Sequence, residues 1–182
     1  MSFIPLSALD QFALFFFVVL WVAYTYFSDW KAHRAPSLLG TMDRYRRQWM
    51  RRMLERENRI LDSAILQNLL SGSNFFASTT MLILGGLIAL LSSIGRAVDV
   101  VASLPYTQVQ TERTLELKVL LLVFIFVYAF FKFTWSMRQF NFLAIMVGSA
   151  PPMTETKEFD SFVERAANVA ALAGENNNRG LR

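Results

Sequence analysis

The fold is decided by residues 30–62, WKAHRAPSLLGTMDRYRRQWMRRMLERENRILD. This stretch holds nine basic residues, Lys31, Arg34, Arg44, Arg46, Arg47, Arg51, Arg52, Arg56 and Arg59, half of the eighteen in the chain. Against them stand four acids, Asp43, Glu55, Glu57 and Asp62. An apolar run long enough to cross a bilayer lies on either side. Segments rich in Lys and Arg stay on the cytoplasmic side during insertion. Residues 29–62 and 139–182 are therefore expected in the cytoplasm, the N-terminus outside, and the chain multi-pass in the membrane.

Upstream, Ser7 is placed to cap a helix, with Asp10 three residues on in the acidic position of a capping box. The eighteen residues 11–28 carry no charge and include Phe12, Phe15, Phe16, Phe17, Leu20 and Trp21. At 1.5 Å per residue they reach about 27 Å, enough for the hydrocarbon layer. No Lys or Arg precedes the run and no small-x-small cleavage site comes after it, so it reads as a retained span rather than a signal peptide.

Downstream of Pro36 and Gly40, Thr41 and Asp43 are expected to start an amphipathic helix. Met42, Tyr45, Trp49, Met53 and Ile60 share one face, and Arg44, Arg47, Arg51 and Arg52 fall mostly elsewhere on the wheel. Two readings stay open. The helix lies flat on the membrane with its arginines on anionic phospholipids or an acidic partner, or it packs on the bundle with a solvated basic face. Residues 63–95 then hold no charge for thirty-three positions, longer than one span needs. Ser71-Gly72-Ser73-Asn74 is the expected break, ending the amphipathic helix near residue 70 and starting a second span near 74. Gly85, Ala89 and Ser93 repeat every four residues in it, a small-residue stripe for close helix packing within the chain or against a second copy.

Residues 96–111 are expected as an extracytoplasmic loop, with Thr111 and Glu112 opening a third long helix. Phe124, Tyr128, Phe131 and Trp135 run along one side of it, a packing or lipid-facing stripe. Pro151-Pro152 ends the helical stretch that continues through Phe142 and Ile145. Thr154 should cap a last amphipathic helix with Phe159, Phe162, Val163, Ala166 and Ala170 on its apolar face, and residues 174–182 read as a polar tail.

The fold class is accordingly all-α, a polytopic transmembrane helix bundle forming one domain over 1–182. Its spans lie at about 8–28, 74–95 and 114–138, with amphipathic cytoplasmic helices at about 41–70 and 154–173. The composition agrees, being 54% hydrophobic with a mean hydropathy of +0.34. A net charge of +4 concentrated between spans points to headgroups, not nucleic acid. With no Cys and one His, there is no thiolate or zinc site to build. No cofactor and no metal are expected, and no catalytic motif is present: GxSxG, P-loop and HExxH are missing, and His33 reads as an ordinary interfacial residue.

A charge inside or near a span is costly unless it pairs, snorkels or meets water, which singles out Lys132 and Arg138. Lys132 is expected to snorkel beside Trp135, to pair with Asp62 or Asp29, or to bind an anionic group.

Several runs resemble a known family: Tyr45-Arg46-Arg47-Gln48-Trp49-Met50, Arg56-Glu57-Asn58-Arg59-Ile60-Leu61-Asp62, Phe75-Phe76-Ala77-Ser78-Thr79-Thr80, Gly85-Gly86-Leu87 with Ala89-Leu90-Leu91, and residues 130–141, FFKFTWSMRQFN. They are similar to a mainly bacterial family of small polytopic membrane proteins classed as a domain of unknown function. The resemblance covers essentially the whole chain and supplies no activity. It implies one cytoplasmic polar layer of Arg56, Asn58, Arg59, Asp62, Lys132, Trp135, Arg138 and Asn141, and a fourth span beyond residue 182 in relatives. The function expected is a non-enzymatic scaffold or accessory subunit, in a homo-oligomer or larger membrane complex. The alternatives are an anion transporter or channel, with Lys132, Arg138 and Asn141 lining a vestibule, and a membrane-embedded lipid-acting enzyme.

Overall fold

The structure is a computed structural model describing residues 7–34, 37–105, 111–151 and 156–182, with the backbone alone at 29, 31–34, 156 and 157. Expectations for Asp29, His33, Pro152 and Thr154 concern side chains or residues outside that set. The described residues form six helices: α1 (Ala8–Arg34), α2 (Leu38–Leu54), α3 (Ile60–Leu91), α4 (Ile94–Ala102), α5 (Glu112–Gly148) and α6 (Thr156–Gly180). The fold class is all-α. Three helices are long and apolar enough to cross a membrane, at Ala8–Ser28, Ile60–Leu91 and Glu112–Gly148, as in a multi-pass membrane protein. The helices divide between two compact units, Met1–Phe27 with Thr79–Tyr128, and Ser28–Ser78 with Ala129–Arg182.

In the first unit, Ser7 Oγ accepts from the Asp10 amide at 3.1 Å and donates to the Asp10 carboxylate at 2.7 Å, the expected cap of α1. Lys118 of α5 reaches the same carboxylate at 2.8 Å, and Trp21 of α1 meets the edge of Tyr128 of α5 at 5.8 Å. The stretch after residue 91, expected as the end of a span and then a loop, instead turns and starts α4. The reason is periodic. Ile94, Ala97, Val98 and Val101 recur at helical spacing and are buried or half-buried, while Arg96 and Asp99 point outward.

The second unit corrects two boundaries. The helix expected from about 41 starts three residues earlier, at Leu38, because Ser37 rather than Thr41 caps it, its Oγ accepting from the Gly40 amide at 3.1 Å. It also ends at Leu54, well before 70. The break lies at residues 55–59, a polar Glu-Arg-Glu-Asn-Arg run in which the Asn58 side chain accepts from the Ile60 amide at 2.9 Å and restarts the helix as α3. The expected break at Ser71-Gly72-Ser73-Asn74 is continuous helix. Ser73 is buried and hydrogen-bonded to neighbouring helices, so its hydroxyl has no reason to compete for the local backbone.

Downstream, α5 carries on to Gly148, ten residues past the expected end of its span, and stops just short of Pro151. The region read as a tail after 173 remains helical to Gly180. There the glycine at 180 matters: a Cβ on it would sit 2.7 Å from the ring of Phe133, which is buried and stacked on Phe76 at 5.3 Å.

Gly180→Val is expected to lower stability by about 1–3 kcal/mol, the usual result of overpacking a filled site. Gly85→Ala, whose new methyl would meet nothing within 4 Å, serves as the neutral comparison. Thermal unfolding of the two variants in the same detergent checks it. Equal midpoints would show that the Phe133 ring yields freely.

Candidate functional site

The site is built on the second unit, where α2 and α6 close on one another. Met50, Met53 and Leu54 of α2 and Phe162, Val163, Ala166, Ala167, Ala170 and Ala173 of α6 are buried in one core with Leu66 of α3 and Phe140, Leu143 and Val147 of α5. The basic helix packs on α6 through Met50, Met53 and Leu54 and leaves Met42 and Tyr45 exposed. Water exclusion by α6 drives it, each large side chain contributing about 1.5–3 kcal/mol. Alanines on α6 let its backbone come close enough for Ser136 of α5 to donate to the Ala173 carbonyl at 2.7 Å. Ser73 of α3 lies 3.3 Å from Ser136 and donates to Asn177 of α6 at 3.0 Å. One turn away, Asn176 donates to Gln139 at 2.9 Å and accepts from Lys132 at 3.5 Å.

Asp62, fully buried near the start of α3, joins α3 to α2. Its Oδ1 accepts from the Trp49 indole at 2.7 Å and from Arg56 at 2.9 Å. The expected partnership of Lys132 with Asp62 is therefore corrected: Asp62 belongs to Trp49 and Arg56, and Lys132 turns to α6.

The expected polar layer is brought together only in part. Arg56, Asn58 and Asp62 form the corner between α2 and α3, and Arg59 caps the end of α5, donating to the Val147 and Ala150 carbonyls at 3.3 Å each. Trp135, Arg138 and Asn141 sit apart from them on an exposed strip of α5, with the Arg138 guanidinium 5.7 Å from the Trp135 ring and 5.5 Å from that of Phe142. Of the α2 arginines, Arg51 meets Asp160 of α6 at 2.9 Å and Arg47 approaches Glu164 at 3.9 Å, both exposed pairs of small energetic weight. Arg44 and Arg52 point outward. Along the small-residue stripe Gly85 and Ala89 are exposed, a Cβ on Gly85 would meet nothing within 4 Å among the described residues, and Ser93 lies beyond the end of α3.

Among the described residues, two clefts of the unit lie beside these groups. The smaller, about 280 Å³, runs between α3 and α5 from Arg59 along Leu66 and Leu70 to Val147. The larger, about 500 Å³, has Met42, Tyr45 and Trp49 of α2 on one side and Ile65, Leu69, Gly72 and Phe76 of α3 on the other. Arg46, Ser73, Asn177 and Asn178 supply its polar groups. Neither is lined by Lys132, Arg138 or Asn141. Arg46 and the asparagines were absent from the sequence-based candidates. A signal was there, however: Ala166, Ala170, Ala173 and Asn177 continue one helical stripe at spacings of four, three and four, past the point where composition turns polar. Among the described residues, no three His, Cys, Asp or Glu side chains gather as a metal site would require.

The chain matches the family described as a protein of unknown function, DUF599, over residues 12–182, and so belongs to that family. Comparison with curated proteins and with solved structures gives no match.

Asp62→Ala strips the partner from a half-buried indole and a half-buried guanidinium, and is expected to cost about 1–3 kcal/mol. In a background carrying Trp21→Phe, Trp30→Phe and Trp135→Phe, the remaining Trp49 emission should shift to the red as its ring loosens. An unmoved melting midpoint together with unmoved emission would mean that the Asp62 contact holds nothing in place.

Proposed function

We propose that this DUF599 protein is a non-enzymatic interaction protein of a bacterial inner membrane, a scaffold or accessory subunit that presents a basic helical platform on the cytoplasmic side. The basic excess of residues 29–62 supports that orientation. The carrying observation is how α2 and α6 meet. Parts of their apolar faces meet in one core, Met42 and Tyr45 of α2 stay exposed beside it, and Arg44 and Arg52 face outward. A platform of this kind attracts anionic phospholipid headgroups or an acidic partner, with charge setting encounter more than affinity. The unpacked stripe at Gly85 and Ala89 supports association with a second copy or another membrane helix. The buried titratable group, Asp62, is engaged by Trp49 and Arg56 instead of standing ready at an open site, which favours a binding role over proton chemistry.

The test is native mass spectrometry of the protein drawn in mild detergent from membranes expressing it at its natural level. A second copy or a second polypeptide should accompany the chain. Arg44→Glu with Arg52→Glu should reduce an acidic partner's share while leaving folding within about 0.5 kcal/mol of wild type, as expected of exposed positions. Recovery of the lone monomer only would overturn the reading.

A further inference from the structure

We propose that the larger cleft, between α2, α3 and α6, binds one anionic phospholipid, with its phosphate on Arg46 and an acyl chain between Tyr45 and Trp49 on one side and Leu69 and Phe76 on the other. The proposal goes beyond the interaction role above and needs no protein partner. At about 500 Å³ the cleft falls within the range of small-molecule sites.

Its polar groups converge. The Arg46 guanidinium lies against the α6 backbone at Gly174, where any Cβ would collide with it. Asn177 and Asn178 come three and four residues later, hence on the same face of α6. Arg46 gives one Nη1 hydrogen to Asp43 at 2.6 Å. A guanidinium carries five donors, and among the described residues its others have no hydrogen-bond partner. Asn177 accepts from Ser73 through Oδ1, which leaves its amide hydrogens to point elsewhere. A planar fork of donors flanked by amides suits the oxygens of a phosphate better than a neutral headgroup.

The apolar wall selects the rest of the ligand. Leu69 and Phe76 belong to a helix long enough to cross the membrane, so the occupant is drawn from the bilayer. Tyr45 and Leu69 are 59% and 41% exposed, far more than an aromatic and a leucine flanking a packed core need be, and an acyl chain laid between them removes that surface from water. Tyr and Trp are also the residues that settle at headgroup depth.

The full chain in mild detergent is mixed with equal amounts of phosphatidylglycerol and phosphatidylcholine, and bound lipid on the monomer peak is read by native mass spectrometry. One phosphatidylglycerol should be retained in preference to phosphatidylcholine. Arg46→Gln should lower its retention roughly tenfold, the loss of one charge-assisted contact. Gly72→Phe projects a ring into the cleft from a position with open space and should abolish retention at an unchanged melting temperature. Arg44→Gln with Arg52→Gln should retain the lipid, separating the cleft from the outward basic face. Equal retention of both lipids, or an adduct that survives Gly72→Phe, overturns the proposal, and the second variant decides the matter should Arg46→Gln not fold. Because the readout is taken on the monomer, it stands or falls independently of any partner.

Discussion

Burial of the alanine face of α6 is the interaction on which the second unit depends. Ala166, Ala167, Ala170 and Ala173 are all but inaccessible, and their small size does more than fill space. It brings the α6 backbone within reach of the Ser136 hydroxyl and leaves room for the Met50 and Met53 side chains of α2. A larger residue at any of these positions would push α6 off both neighbours at once. Once α6 is seated, the remaining contacts arise from proximity: Ser73 with Asn177, Lys132 with Asn176, Arg51 with Asp160. The apolar term acts without direction, while the hydroxyl and amide bonds fix the register in which α6 sits. Neither alone would specify a single arrangement.

The glycines obey the same logic in a more local way. At Gly174 and Gly180 the missing side chain is what allows Arg46 and the Phe133 ring to lie on the helix surface. A Cβ on Gly85 or Gly86 would meet nothing within 4 Å among the described residues. Residues of one type on long helices thus answer to different constraints, and only contact tells them apart. Small residues at a spacing of four therefore do not by themselves say what packs on them.

Much of the architecture was legible because hydrophobicity has a length. The three apolar runs were each found, and the apolar face of α6 was read correctly from Phe159, Phe162, Val163, Ala166 and Ala170. Two of the failures share one cause. Ser71-Gly72-Ser73-Asn74 and residues 174–180 are polar or glycine-containing, and propensity alone assigns such stretches to breaks or tails. Tertiary partners reverse that. Ser73 and Asn177 are helical because each supplies the other's hydrogen bond, a relation separated by 104 positions in the chain. The site was less legible still, since the resemblance marked residues of one polar layer, whereas the cleft is made by Arg46, Asn177 and Asn178, whose significance arises only after α6 folds onto α2.

The corner between α2 and α3 raises the question of why a carboxylate is buried there at all. Replacing a buried ion pair by apolar groups of similar volume is often neutral or stabilising, so Asp62 is poorly explained as a source of stability. What an apolar residue could not do is hold the Trp49 indole by its nitrogen at 2.7 Å while also receiving Arg56. A tryptophan packed only by shape is free to rock about its two side-chain torsions. Tethered to Asp62, it presents a fixed face to the larger cleft, which it lines together with Tyr45 one turn earlier. The tether also ends the basic helix at a defined angle, since Arg56 lies in the break and Asp62 in the first turn of α3. Desolvation of one carboxylate is thus exchanged for geometry, and the geometry it sets is that of the cleft wall.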